Sequence, residues 1–156
     1  MTNVTVNRKD VLSTEEVEDM LRKADQLENE YFRLRAKALV SLFYMTGKRR
    51  SEVAALEMDD LKVKGRYLSV TFTVVKKRRK NVMSTRREKL LPLDDRFTQH
   101  IVAYWRYMKR HHPSCRYLFP SVKCVFGAAL VFIPDRHLSL SLIHISEPTR
   151  PLYISY

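Results

Sequence analysis

Glycine is scarce in this chain, three residues in 156, which excludes a collagen-like repeat or a glycine-rich linker. Cysteine is scarcer still. Cys115 and Cys124 are the only two, too few for a disulfide-stapled scaffold, so the expectation is reduced thiols and a cytoplasmic protein. No charged-then-apolar leader opens the sequence, and no apolar run approaches the roughly 18 residues of a membrane span. The longest apolar-rich stretch, residues 125–133, reads as a core strand or a short helix, and no membrane partner is expected. Acidic residues are in deficit as well, 17 against 29 Lys and Arg, leaving a formal charge of +12. That balance favours a polyanionic partner, such as nucleic acid or an acidic surface, and says nothing about the fold. What is present, 45% hydrophobic and 29% charged residues without internal repeats, is the composition of one soluble globular domain.

Ser13 and Glu16 stand at capping-box spacing ahead of Val17, Met20, Leu21 and Ala24, which predicts a helix over residues 14–26. Apolar residues recur at Tyr31, Leu34, Ala38, Leu42 and Met45 and stop at Gly47, the signature of a second, more buried helix. Residues 51–56 read as a short helical piece and 58–60 as a turn. From Leu61 the period changes to alternation: Lys62, Lys64, Arg66 and Ser69 are interleaved with Val63, Tyr67, Leu68, Val70, Phe72, Val74 and Val75. With Gly65 at the turn, this is a β-hairpin. Residues 76–89 then hold eight Lys or Arg and one acid, and are expected to form an exposed loop, with 89–93 returning as a third strand. Asp94 or Asp95 caps a helix carrying Phe97, Ile101, Tyr104, Trp105 and Met108, whose spacing makes Trp105 a core residue. The helix ends at His111, His112 and Pro113, and Tyr117, Leu118 and Phe119 anchor the loop beyond. The spacing of His111, His112, Cys115 and Cys124 fits no usual zinc pattern. They read as helix-end histidines and buried thiols, and no metal is expected.

The run Thr46-Gly47-Lys48-Arg49-Arg50-Ser51-Glu52-Val53-Ala54-Ala55-Leu56, followed by Asp59 and Asp60, resembles the first arginine box of the tyrosine recombinases, the phage-integrase family. The hairpin with its basic stretch and Leu90-Leu91-Pro92-Leu93 resembles the family's small sheet. Tyr117-Leu118-Phe119-Pro120 is similar to its loop after the following helix, and the resemblance spans residues 11–139. It implies an α+β, mainly helical fold with a small three-stranded antiparallel sheet, incomplete at its C-terminus. It implies a parent activity of DNA integration or site-specific recombination on double-stranded DNA, through a phosphotyrosine intermediate, with no metal or nucleotide cofactor and as a tetramer on DNA. Carried over residue by residue, Arg49 is the catalytic arginine, a guanidinium able to bind two non-bridging phosphate oxygens as charge develops on them. The family's leaving-group acid, a lysine at the hairpin tip, falls on Lys76 or Lys77, with Lys80 also within reach of the register. Glu52 matches the acid that orients the box. Lys48, Arg50, Arg78, Arg79, Lys80, Arg86 and Arg87 are the expected contacts to the DNA backbone.

The family's His-x-x-Arg box and nucleophilic tyrosine are not recognisable. His144 and Arg150 are six positions apart with Pro148 between them, and no such box precedes Tyr153 or Tyr156. Residues 140–150 instead resemble the translation of a transposon-end adapter used in sequencing libraries. The expected organisation is therefore a lead at 1–10, a partial catalytic domain at 11–139 and a non-native tail at 140–156. Such a fragment is expected to be inactive in cleavage and to leave Leu39, Leu42 and Phe43 uncovered. The alternative is a non-catalytic basic module binding DNA or RNA, in which the arginine box is coincidental.

Overall fold

Ser13 starts the first helix as its spacing predicts. Its hydroxyl accepts the Glu16 N–H at 3.2 Å while the Glu16 carboxylate accepts the Ser13 N–H at 3.3 Å, two otherwise orphaned donors satisfied together. The computed structural model describes residues 13–78, 80–125 and 129–138. The lead, Arg79 and the adapter-like tail lie outside them.

Helix α1 (Thr14–Asp25) turns its apolar face to α2 (Glu30–Thr46), where Val17 and Val40 share a cluster with Phe97 from a later helix. Asn29 caps α2 by accepting the Phe32 N–H, and Gly47 closes it in the left-handed region at φ 62°. α2 is the central element: its buried positions run from Tyr31 through Leu42. A short helix, α3 (Arg50–Ala54), a 3-10 turn at Met58–Asp60 and a sheet follow, and α4 (Arg96–His111) packs back across α2. Of the two aspartates offered as its cap, Asp95 serves, accepting the Phe97 N–H at 2.8 Å. Trp105 is buried as expected, with the Lys109 ammonium 3.7 Å from its ring centroid.

Leu39 and Leu42 are not uncovered. Both are buried in one cluster with Ile101, Met108, Leu118 and Phe119, and Phe43 packs half-buried against it. Returning α4 and the Leu118-Phe119 anchor covers the face that was expected to need further helices. Cys115 is buried; the Cys124 thiol lies outside the described side chains.

The sheet contains the main departure from expectation. β1 (Leu61–Lys64), β2 (Tyr67–Arg78) and β3 (Asn81–Pro92) are antiparallel in that order, and the β2–β3 register runs unbroken from Tyr67↔Pro92 to Arg78↔Asn81. The basic stretch is thus mostly strand, the outer parts of β2 and β3 in a long ribbon, and not a loop. Val74 and Val75 were expected in the hairpin; the charge beyond them obscured a β pattern that continues in Val82 and Thr85. β-branched side chains favour the pleated surface, and like charges that all face water repel weakly through screening.

A second, two-stranded sheet, absent from the expected architecture, pairs β4 (Pro120–Val125) with β5 (Ala129–His137). Within the apolar stretch at 125–133, Val125 ends one strand and residues 129–133 belong to the other, while 126–128 lie outside the described residues. Val122 and Leu138 close the core at this end, and the Leu138 N–H donates to the Phe119 carbonyl at 2.8 Å.

Candidate DNA-facing site

The turn that leaves α2 presents Arg49. Thr46 donates its hydroxyl to the Leu42 carbonyl at 2.6 Å and accepts the Lys48 N–H at 3.4 Å, which ties the turn to the last coil of the helix. Gly47 supplies the left-handed step that an L side chain resists. Arg49 then stands in extended geometry ahead of α3, and the Glu52 carboxylate accepts its backbone N–H at 3.1 Å. The acid three residues on fixes the arginine's backbone at the mouth of a helix and leaves its side chain exposed.

That side chain opens onto a cavity of about 210 Å³ lined by Lys48, Arg49, Glu52, Val74, Val75 and Arg87. Three cations and one carboxylate meet there. Lys48 reaches the cavity across the buried Phe72 ring, its ammonium 5.5 Å from the centroid, a cation–π contact that costs the ammonium little hydration. Arg87 stands opposite Phe72 in the ribbon register. The cavity therefore joins the end of α2, the start of α3 and both long strands, elements some 40 residues apart in the sequence. Val74 and Val75 form its apolar wall, a role no motif announced.

The remaining basic residues are distributed along the ribbon. Lys76 pairs with Met83 and Lys77 with Val82. Because strand positions alternate between faces, position 76 falls on the Phe72–Arg87 face and position 77 on the Thr73–Arg86 face. Arg78 pairs with Asn81 at the far end, Lys80 is exposed in the turn, and Arg50 is exposed at the first position of α3. Arg86 differs from the others. Expected as a backbone contact, it forms an ion pair with Asp60, whose side chain is only 8% exposed. Asp60 and Arg86 are 26 positions apart in the sequence, so this pairing was hidden until the sheet brought them together. Glu88, the single acid of the stretch, accepts from the Lys64 ammonium and the Ser69 hydroxyl, which hold its carboxyl below the usual range, Lys64 first.

Among the described residues, no three His, Cys, Asp or Glu side chains are grouped so that they could hold a metal ion. His112 instead stacks on Phe132 with 3.8 Å between ring centroids. No helix among them is long and apolar enough to cross a membrane.

An antiparallel sheet is carried on a helical core, with the exposed Arg49 beside a basic ribbon. The model of the phage integrase family matches residues 10–140, and the chain belongs to that family, the tyrosine recombinases. Among solved structures, it is similar to a XerH site-specific recombinase bound to difH substrate in a pre-cleavage complex. The two are 19% identical with a TM-score of 0.49, over 78% of this chain and 32% of the other. This chain thus spans about a third of the length of that recombinase. No curated protein matches it.

Proposed function

We propose that this chain forms the DNA-gripping part of a recombinase catalytic domain, whose parent breaks and rejoins double-stranded DNA through a phosphotyrosine intermediate. The observation that carries the reading is the meeting of Arg49, Lys48 and Arg87 at one cavity beside the ribbon. A phosphodiester seated there meets the Arg49 guanidinium, which stabilises the negative charge that grows on the non-bridging oxygens when a tyrosine hydroxyl attacks phosphorus. As the 5′ oxygen leaves it takes a proton. Lys76 is the donor rather than Lys77, since position 76 shares the Arg87 side of the ribbon. Glu52 acts on Arg49 through the backbone. Lys48, Arg50, Arg78, Arg79, Lys80 and Arg87 neutralise DNA phosphates, with neither metal nor nucleotide required.

The tyrosine and the His-x-x-Arg box would come from parent sequence that this chain does not recognisably carry, so the chain itself binds DNA without cutting it. The parent would work as a tetramer on DNA, in the cytoplasm. Residues 140–150 are read as adapter-derived; resequencing the source DNA without that adapter chemistry and finding the same codons would overturn this.

Arg49→Ala, placed in a chain completed with a His-x-x-Arg box and tyrosine, tests the proposal. Strand cleavage is expected to fall at least about a hundredfold, the scale for losing one transition-state donor, with DNA affinity changing only severalfold. Equal losses in cleavage and binding would favour the non-catalytic basic module instead.

A further inference from the structure

Lys80, Arg86, Arg87 and Lys89 are exposed on a two-stranded element, a unit that is marginal in isolation. Beyond β1, whose pairing ends at Leu61↔Val70, the outer ribbon needs another anchor to hold a defined angle to the Arg49 turn. Arg86 is in position to supply it. One guanidinium nitrogen donates to Asp60 Oδ1 and the other reaches Thr73 Oγ1, its cross-strand partner, at 3.5 Å. Asp60 is buried and doubly engaged, since its Oδ2 accepts the Glu57 N–H at 2.9 Å.

The segment that carries Asp60 is itself sewn to the core. The Met58 N–H donates to the Arg116 carbonyl at 2.9 Å and the Leu118 N–H to the Leu56 carbonyl at 2.9 Å. Glu57 meets the Arg116 guanidinium through both oxygens, at 3.1 and 3.3 Å. A continuous path of charge-assisted bonds thus leads from the ribbon, through the turn that follows α3, to the loop after α4. Arg49 stands at the start of α3, so the same short segment bears on both halves of the cavity.

We propose that Arg86 is a positioning residue and not a phosphate contact: its ion pair with Asp60 fixes the outer ribbon, with the lysines at 76 and 77, relative to Arg49. The inference rests on the recombinase reading for what the positioned groups do, but the latch itself is a property of the free protein.

Two measurements on the 156-residue chain separate the cases. The first is amide hydrogen exchange of the ribbon between Thr73 and Arg86, without DNA, in the parent chain, Arg86→Ala, Asp60→Asn and the double variant. Asn at 60 keeps an oxygen for the Glu57 N–H, so the turn survives while the ion pair is lost. Each single variant is expected to speed ribbon exchange by about tenfold, the size of one lost charge-assisted bond. The double variant should be no faster than either single one, the mark of a shared interaction, and Arg86→Lys should restore part of the protection.

The second measurement is affinity for a DNA duplex as a function of salt. A latch predicts that Arg86→Ala leaves the slope of log affinity against log salt unchanged and that Asp60→Asn does not tighten binding. A phosphate contact predicts a slope smaller by about one and tighter binding when Asp60 no longer competes for the guanidinium. Either of those results, or ribbon exchange unaltered in all variants, overturns the proposal. A chain that fails to bind any duplex would remove the recombinase reading, while the exchange data would still decide the latch.

Discussion

The helical half of the molecule and the β2–β3 ribbon are held by different forces. Along α2 nine residues are buried, and five of them, Tyr31, Phe32, Ala38, Leu39 and Leu42, share with α4 a cluster that runs on into Leu118, Phe119 and Val122. Along β3 ten successive residues, from Asn81 to Leu90, are all exposed. Transfer of apolar surface out of water sustains the first region. Leu68, Val70 and Phe72 tie the inner part of the second to the same core, but backbone pairing and a few ion pairs sustain its outer part, where the side chains of β3 face outward. A chain that spends its arginines and lysines this way has a scaffold at one end and a contact surface at the other.

The comparison breaks most sharply under truncation of buried and exposed side chains. Leu42→Ala removes a fully buried side chain from the centre of α2 and is expected to cost about 2–5 kcal/mol in urea unfolding, the range for cavities in packed cores. Val82→Ala, at 62% exposure on the ribbon, should stay within about 0.5 kcal/mol. Equal losses at the two sites would mean that the outer ribbon, too, is packed against something.

Gly47→Ala acts at the seam between the regions. A Cβ there meets nothing within 4 Å, so the strain of φ +62° is the whole cost, about 1–2 kcal/mol. Because this turn delivers Arg49, DNA affinity of the variant should fall together with its stability; an unchanged melting temperature would contradict the strain argument.

The smallest effect divides the halves by pH. Burial, followed by the charge on Lys37, lowers the pKa of His100, and burial, followed by His111, lowers that of His112. Both titrate nearer their ordinary 6.5 when unfolded, so the unfolded chain binds protons first. Stability from these neutral histidines is complete above about pH 6.5 and declines as pH falls towards the lowered folded values. Glu88 on β3 is depressed from 4.5, so its contribution is intact above that value and is lost only as pH falls through the lower one. Between pH 7 and 5, helical amides should lose protection before ribbon amides do, and His100→Gln with His112→Gln should flatten the difference. Ribbon amides softening first would refute this assignment.

Much of the helical half was legible in the residues. Ser13 with Glu16, the spacing from Tyr31 to Met45, Gly47 and the cap before Phe97 all follow from local geometry and one-sided burial, which leave a period in the sequence. The ribbon was harder to read. Eight cations in residues 76–89 look like solvated loop because an exposed strand has no buried face to enforce alternation. The basic character of the site was equally plain, but Arg86 and Arg87 are neighbours of the same type with different fates. Strand alternation sends one to Asp60 and the other to the Arg49 cavity.

By itself the sequence determined the helices, their caps, the excess of positive charge and the box that marks the family, since these depend on interactions within a few residues or on composition. Tertiary structure alone decided which cations share a cavity and which is tied to a buried aspartate. It also decided that Leu39 and Leu42 are covered by α4 and the strands beyond. Those outcomes require groups some 20 to 80 positions apart to meet, and contacts at such separations leave no period in the chain.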